Sequence, residues 1–130
     1  MTLNDPLSNA LSHILNCERQ GKKTCIISPA SSMIKSVLEL MKKHNYINDF
    51  KIIESSRGSM IEVVLANRIN KCNAIKPRFS IQKGEFEKFE RRYLPAKDFG
   101  IIIISTSNGL MVHNDAKANG LGGKLIAYIY

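Results

Sequence analysis

No stretch of this 130-residue chain approaches the roughly 18 apolar residues that a membrane span needs, and its aliphatic runs are as short as Ile101 to Ile104. The opening Met1-Thr2-Leu3-Asn4-Asp5-Pro6 has neither a basic n-region nor an apolar h-region, so no secretory signal is expected. Cysteine is scarce and odd in number: Cys17, Cys25 and Cys72 form no C-x-x-C pair. A disulfide scaffold and a structural zinc site are therefore not expected, and a reducing compartment is. Histidine is sparse as well. His13, His44 and His113 lie far apart and read as lying outside metal-ligand spacing of a cysteine or carboxylate pair, hence as surface or capping residues. There is no Walker lysine-serine and no G-x-G-x-x-G. Gly120-Leu121-Gly122-Gly123 is glycine-rich, but it follows a helical pattern and precedes a strand pattern, the reverse of the order that cradles phosphate. Cys72 sits among basic residues that favour a thiolate, yet no base stands beside it, so a hydrolase built on Cys72 or His113 lacks its nucleophile–base pair. The expectation is no catalysis, no metal, no cofactor and no membrane partner.

Acidic residues are the remaining shortage, 11 against 19 lysines and arginines, a net charge of +8. Hydrophobic residues make up 44%, enough for a packed core. The composition fits a compact, soluble, intracellular domain whose partner is a polyanion. The excess is uneven. Residues 1–50 hold 6 basic and 4 acidic side chains, a net of +2; residues 51–97 hold 11 and 5, a net of +6; residues 98–130 hold 2 of each. Between Glu62 and Glu85 there is no acid, while Arg68, Lys71, Lys76, Arg78 and Lys83 fall there. That stretch is suited to a phosphate backbone.

Periodicity organises the rest. Asp5-Pro6 places an N-cap acceptor before a first-turn proline; Leu7, Leu11, Ile14 and Leu15 then repeat at helical spacing until Gly21. Thr24 to Ile27, bounded by Ser28-Pro29, reads as a strand, and Met33, Ile34, Val37, Leu38 and Met41 as one face of a second helix. Tyr46–Ile53 and Met60–Ala66 read as strands joined through Ser55–Ser59. Asn67 to Arg78 is polar, basic and aperiodic, a natural boundary. Beyond it come a brief strand at Phe79–Ile81, a charge-dense short helix or turn over Glu85–Leu94 ended by Pro95, and a strand over Gly100–Ser105. A return strand at Leu110–Val112, a short helix over Asn114–Asn119 and a terminal strand from Lys124 complete the chain. The fold class is α+β with two small subdomains, 1–66 and a mainly β 67–130. Phe86, Phe89 and Tyr93 offer stacking platforms for bases, but their spacing favours core packing.

The turn Ser105-Thr106-Ser107-Asn108-Gly109 gathers three hydroxyls and an amide without bulk or charge. Such a loop suits base edges and 2′-hydroxyls, the groups that carry specificity in RNA; an ordinary hairpin turn is the plainer reading.

Around this loop the sequence resembles a known family. Ile103-Ile104-Ser105-Thr106-Ser107-Asn108-Gly109-Leu110-Met111, Asp115-Ala116-Lys117 and Gly120-Leu121-Gly122-Gly123-Lys124 through Tyr130 resemble the carboxyl-terminal signature of the ribosomal protein S8 family of the small subunit. Asp5 to Leu11 is similar to the family's opening helix. Asn70–Phe79 and Arg92–Gly100 resemble its archaeal and eukaryotic branch, and the ending Ala127-Tyr128-Ile129-Tyr130 leans archaeal.

The resemblance implies a two-domain α+β constituent of the small ribosomal subunit, cytoplasmic, that binds a helical element in the central domain of small-subunit ribosomal RNA and supports assembly and translation. Its other implied partners are neighbouring small-subunit ribosomal proteins and its own messenger RNA. A regulatory RNA-binding protein that represses a message is the alternative reading. Ser105, Thr106 and Ser107, with Gly109 behind them, are implied to touch an irregular internal loop of the RNA, with Gly122, Gly123 and Lys124 beside them. Asp5, Leu7, Asn9 and Ser12 are implied to form a second contact. The basic Arg68, Lys71, Lys76 and Arg78 join this set of RNA-binding candidates through their charge. Two positions depart from the family pattern. Val112 stands where a small polar cap is usual, which passes the capping role to His113 or Asn114. Asn73 stands where glycine is usual, which implies a positive-φ turn.

Overall fold

Leu7, Ala10, Leu11, Ile14 and Cys17 recur at spacings of three and four, and all are buried along helix α1 (Pro6–Arg19). The computed structural model describes residues 6–27, 32–56, 58–75, 80–82, 84–96 and 99–130. Asp5, the proposed N-cap, therefore lies outside the described residues, as do Ser28-Pro29, Lys76, Arg78, Phe79 and Lys83. The chain divides into two compact units, residues 1–70 and 71–130.

In the first unit, α1 ends where Gly21 turns left-handed at φ +73°. The Lys22 N–H reaches the Cys17 carbonyl at 3.0 Å and the Gly21 N–H the Glu18 carbonyl at 3.1 Å, the paired bonds of a Schellman cap. Strand β1 (Thr24–Ile27) follows at once. Helix α2 (Ser32–Lys43) buries Ile34, Val37, Leu38 and Met41 and closes with the same motif. There Asn45 takes the left-handed position, φ 67°, and the Tyr46 N–H bonds the Met41 carbonyl at 2.9 Å. Strands β2 (Ile47–Ser55) and β3 (Gly58–Leu65) form the expected hairpin. The antiparallel sheet has the order β1-β3-β2, with Cys25 opposite Val63 and Ile27 opposite Ile61. Those four side chains are buried, and the residues between them are not. One face of the sheet thus meets apolar cover, as period-two alternation dictates.

In the second unit the stretch read as an aperiodic boundary contains a strand, β4 (Cys72–Ala74), in ladder with the chain's last strand. Asn73 is an extended residue of β4 opposite Tyr128, so the positive-φ turn expected there is corrected. Its side-chain oxygen accepts the Ala74 N–H at 2.9 Å. Next come β5 (Ser80–Ile81), helix α3 (Phe86–Tyr93), β6 (Ile101–Thr106), β7 (Gly109–Val112), helix α4 (His113–Asn119) and β8 (Gly123–Ile129). The sheet order is β4-β8-β6-β7, with β5 also on β8. Ile75, Ile81, Phe86, Phe89, Leu94, Ile102, Ile104, Ala116 and Leu125 form the core, with Tyr93 packed against it. The α3 aromatics therefore pack inward, in line with their helical spacing.

His113 departs from the reading of a surface or capping histidine: it is 1% exposed. The Ile102 N–H donates to its Nδ1 at 3.1 Å, which leaves Nε2 to carry the proton toward Glu90 Oε1 at 3.2 Å. Lys117 pairs with the same carboxylate oxygen, so Glu90 of α3 is clamped by two residues of α4. Helix α4 starts at His113 with buried Val112 itself at the N-cap, so the cap position is not passed to His113 or Asn114. Among the described residues no helix is long and apolar enough to cross a membrane.

Candidate nucleic-acid interface

The hydroxyl loop is a hairpin end. Thr106 pairs with Gly109 and Ser105 with Leu110 across β6 and β7, leaving Ser107 and Asn108 at the tip. The Thr106 hydroxyl donates to the Gly109 carbonyl at 2.8 Å and accepts the Asn108 N–H at 3.1 Å, so its one donor and one of its two lone pairs are engaged inside the turn. Gly109 takes φ +103°, a value that side chains rarely adopt. Ser107 and Asn108 are exposed and Ser105 is half-buried.

On the other side of β6, Ser105 pairs with Lys124 of β8, and Ser80 of β5 pairs with Lys124 from the far side. Gly123 permits this approach. A Cβ there would overlap the Ser105 carbonyl oxygen and come within 2.9 Å of the carbonyl carbon. The β6–β8 ladder slips between Ile103 and Ile104, where Ala127 and then Leu125 are the partners, leaving Ile126 as an extra residue. A bulge bends the strand and raises its twist, which re-aims the end that carries the hydroxyls. Ser105, Thr106, Ser107, Gly109, Gly123 and Lys124 thus meet at one end of this sheet, with half-buried Gly122 next in the chain. Ser80 and Asn108 belong to the same end. Asn108 is visible in the loop's composition, whereas Ser80 arrives only through strand pairing.

Lys71 does not join them. Its backbone exchanges hydrogen bonds with Tyr130 at 2.8 and 2.9 Å, at the opposite end of β8 from Lys124. Six residues of strand separate the two positions by about 20 Å. Lys88, Arg91 and Arg92 of α3 add exposed cations that the sequence reading did not include, since the dense charge of that segment is their only signal.

In the first unit Asn9 and Ser12 are exposed one turn apart on α1, so they share a face. Leu7 is 3% exposed, with its side chain packed in the core of the first unit. Arg68 is exposed, and its guanidinium donates to the Asn45 carbonyl at 3.5 Å. Asp5, Lys76 and Arg78 lie outside the described residues.

Cys17 and Cys25, one on α1 and one on β1, are both buried and both free. Burial, with Cys17 beside it, pushes the Cys25 thiol up to about 12 against a smaller opposing pull from Lys22. His13 Nε2 stands 4.0 Å from Cys17 Sγ. The expectation that no histidine keeps ligand spacing from a cysteine is therefore corrected: His13 and Cys17 are four residues apart on one helix face.

One end of the second unit's sheet thus gathers hydroxyl side chains around a single lysine, Lys124, in a chain that is basic overall. The family model described as Ribosomal protein S8 matches residues 5–130, and the chain belongs to that family. It is a small-subunit ribosomal protein that binds ribosomal RNA alongside other ribosomal proteins.

Proposed function

We propose that the chain binds a helical element in the central domain of small-subunit ribosomal RNA during assembly, and reads an irregular internal loop of that element with Ser105, Ser107 and Lys124. The supporting observation is the hairpin end itself: an exposed Ser107 hydroxyl at the tip of a turn that Thr106 braces from within, with exposed Lys124 paired to Ser105 on the neighbouring strand. Uncharged hydroxyls reach base edges and 2′-hydroxyls, while the lysine supplies one phosphate contact. Asn9 and Ser12 of α1 form a second contact. Arg68, Lys71, Lys76 and Arg78 add sequence-independent attraction.

Hydroxyl-radical footprinting of small-subunit ribosomal RNA with the full chain tests this reading. Protection is expected over one central-domain helix, centred on an irregular internal loop, and should weaken there with Ser107→Ala. Protection spread evenly over duplex RNA, or confined to another domain, would overturn it.

A further inference from the structure

The connection between α1 and β1 is short and firmly shaped. Gly21 turns left-handed at φ +73°, and the Lys22 N–H closes onto the Cys17 carbonyl at 3.0 Å. This turn folds β1, the edge strand of its sheet, back along the helix. Cys25 lies on the inward face of β1, where Thr24 and Ile26 are exposed and Cys25 and Ile27 buried. Cys17 is on the buried face of α1, one turn beyond His13. An imidazole nitrogen and two sulfurs consequently converge, all within 4.8 Å of one another.

Tetrahedral zinc, with Zn–S near 2.3 Å and Zn–N near 2.0–2.1 Å, holds its ligand atoms about 3.5–3.8 Å apart. The 4.0 Å separation of Cys17 Sγ and His13 Nε2 is a small rotamer adjustment from that spacing. Two thiolates and an imidazole are soft and borderline donors, which suit zinc and do not suit magnesium or calcium. Buried thiols also serve as small apolar side chains, but packing alone gives no reason for an imidazole to lie against the pair.

We propose that His13, Cys17 and Cys25 form a zinc site that clips the opening helix to the edge strand of the first unit. Zinc displaces the two thiol protons to solvent, so a dication and two thiolates leave the centre neutral. Water occupies the fourth position on the solvent side, where His13 is exposed. His13 follows Ser12 on α1, but the zinc site is argued without the RNA contact proposed there, and its test does not involve RNA.

The full chain, reduced and freed of metal with a chelator, is titrated with cobalt(II) as a spectroscopic probe. One equivalent should produce the intense visible bands of tetrahedral cobalt and a thiolate charge-transfer band in the near ultraviolet, both bleached by zinc. Zinc should raise the Tm, because a ligand that binds only the folded state stabilises it. His13→Gln changes an exposed position and should fold. It should weaken zinc by at least roughly tenfold, since losing even an outer-shell partner costs about 10–100-fold. Cys25→Ser should abolish the charge-transfer band, and Cys72→Ala, in the other unit, should leave it intact. If Cys25→Ser does not fold, the His13→Gln and Cys72→Ala arms still decide. Octahedral cobalt spectra, undiminished affinity in His13→Gln, or a reduced chain that takes up no metal and only forms a Cys17–Cys25 disulfide on oxidation would each overturn the proposal.

Discussion

The Thr106 hydroxyl donates to the Gly109 carbonyl and accepts from the Asn108 amide, whereas the adjacent Ser107 is exposed at the tip. Two neighbouring hydroxyls should thus respond differently to removal. Ser107→Ala should cost about 1–3 kcal/mol of RNA affinity, the penalty for leaving a desolvated polar group on the RNA unpaired. Its folding stability should be nearly unchanged. Thr106→Ala removes two turn hydrogen bonds worth roughly 0.5–1.5 kcal/mol each at most, so it should lower the Tm first and affinity only through the turn's shape. Paired denaturation and RNA titrations distinguish the two. A Thr106→Ala protein of unchanged stability that fails to bind would mean that Thr106, not Ser107, meets the RNA.

Elements are joined by buried polar groups as well as by apolar faces, and Glu18 is the case with a pH signature. It lies buried near the end of α1, and its carboxylate accepts the Asn67 N–H, where the chain leaves β3 in a left-handed conformation at φ 58°. Burial raises its pKa above the ordinary 4.5 and the Asn67 bond offsets part of that rise. A carboxyl with a raised folded-state pKa contributes most when both states are protonated. Stability from Glu18 is therefore full below about pH 4.5 and is lost as pH rises through its elevated folded value. Glu18→Gln should remove that part of the pH dependence and gain most on wild type near neutrality. Chemical denaturation across the acid-to-neutral range measures it, and parallel curves for the two proteins would show that Glu18 carries no raised pKa. Glu18 also marks the limit of what one sequence discloses. The helices are legible because their apolar residues recur at three and four, and β1 because Thr24–Ile27 is short and β-branched. The strand β4 is not, because Cys72-Asn73-Ala74 has no alternation and gains its identity from the β8 backbone opposite. His113 looks like a surface residue in the sequence because its partner Glu90 belongs to a different helix. Cys25 meets His13 and Cys17 only once Gly21 has reversed the chain.

Charge acts at the scale of the whole chain, because phosphate attraction sums over every cation that reaches the RNA. Of the net +8, residues 51–97 hold +6, while residues 98–130, which build the hydroxyl hairpin, are neutral overall. In the proposed mode of binding, attraction and discrimination are therefore drawn from different stretches of the chain. The position of Lys71, at the end of β8 away from Lys124, sharpens the expectation that these cations meet separate phosphates. Neutralising Arg68, Lys71, Lys76 and Arg78 together to glutamine should flatten the salt dependence of binding, by roughly 0.7 to 0.9 in log–log slope for each phosphate that is no longer neutralised. Lys124→Gln alone should remove about one such step. Ser107→Ala should weaken binding at every salt concentration and leave the slope where it was, because a neutral group releases no counterion. One titration series at several salt concentrations, on wild type and these three variants, reads all of these effects. A quadruple variant with the wild-type slope would place those four cations away from RNA. A changed slope in Ser107→Ala would mean that the hairpin holds the phosphates instead of reading the bases.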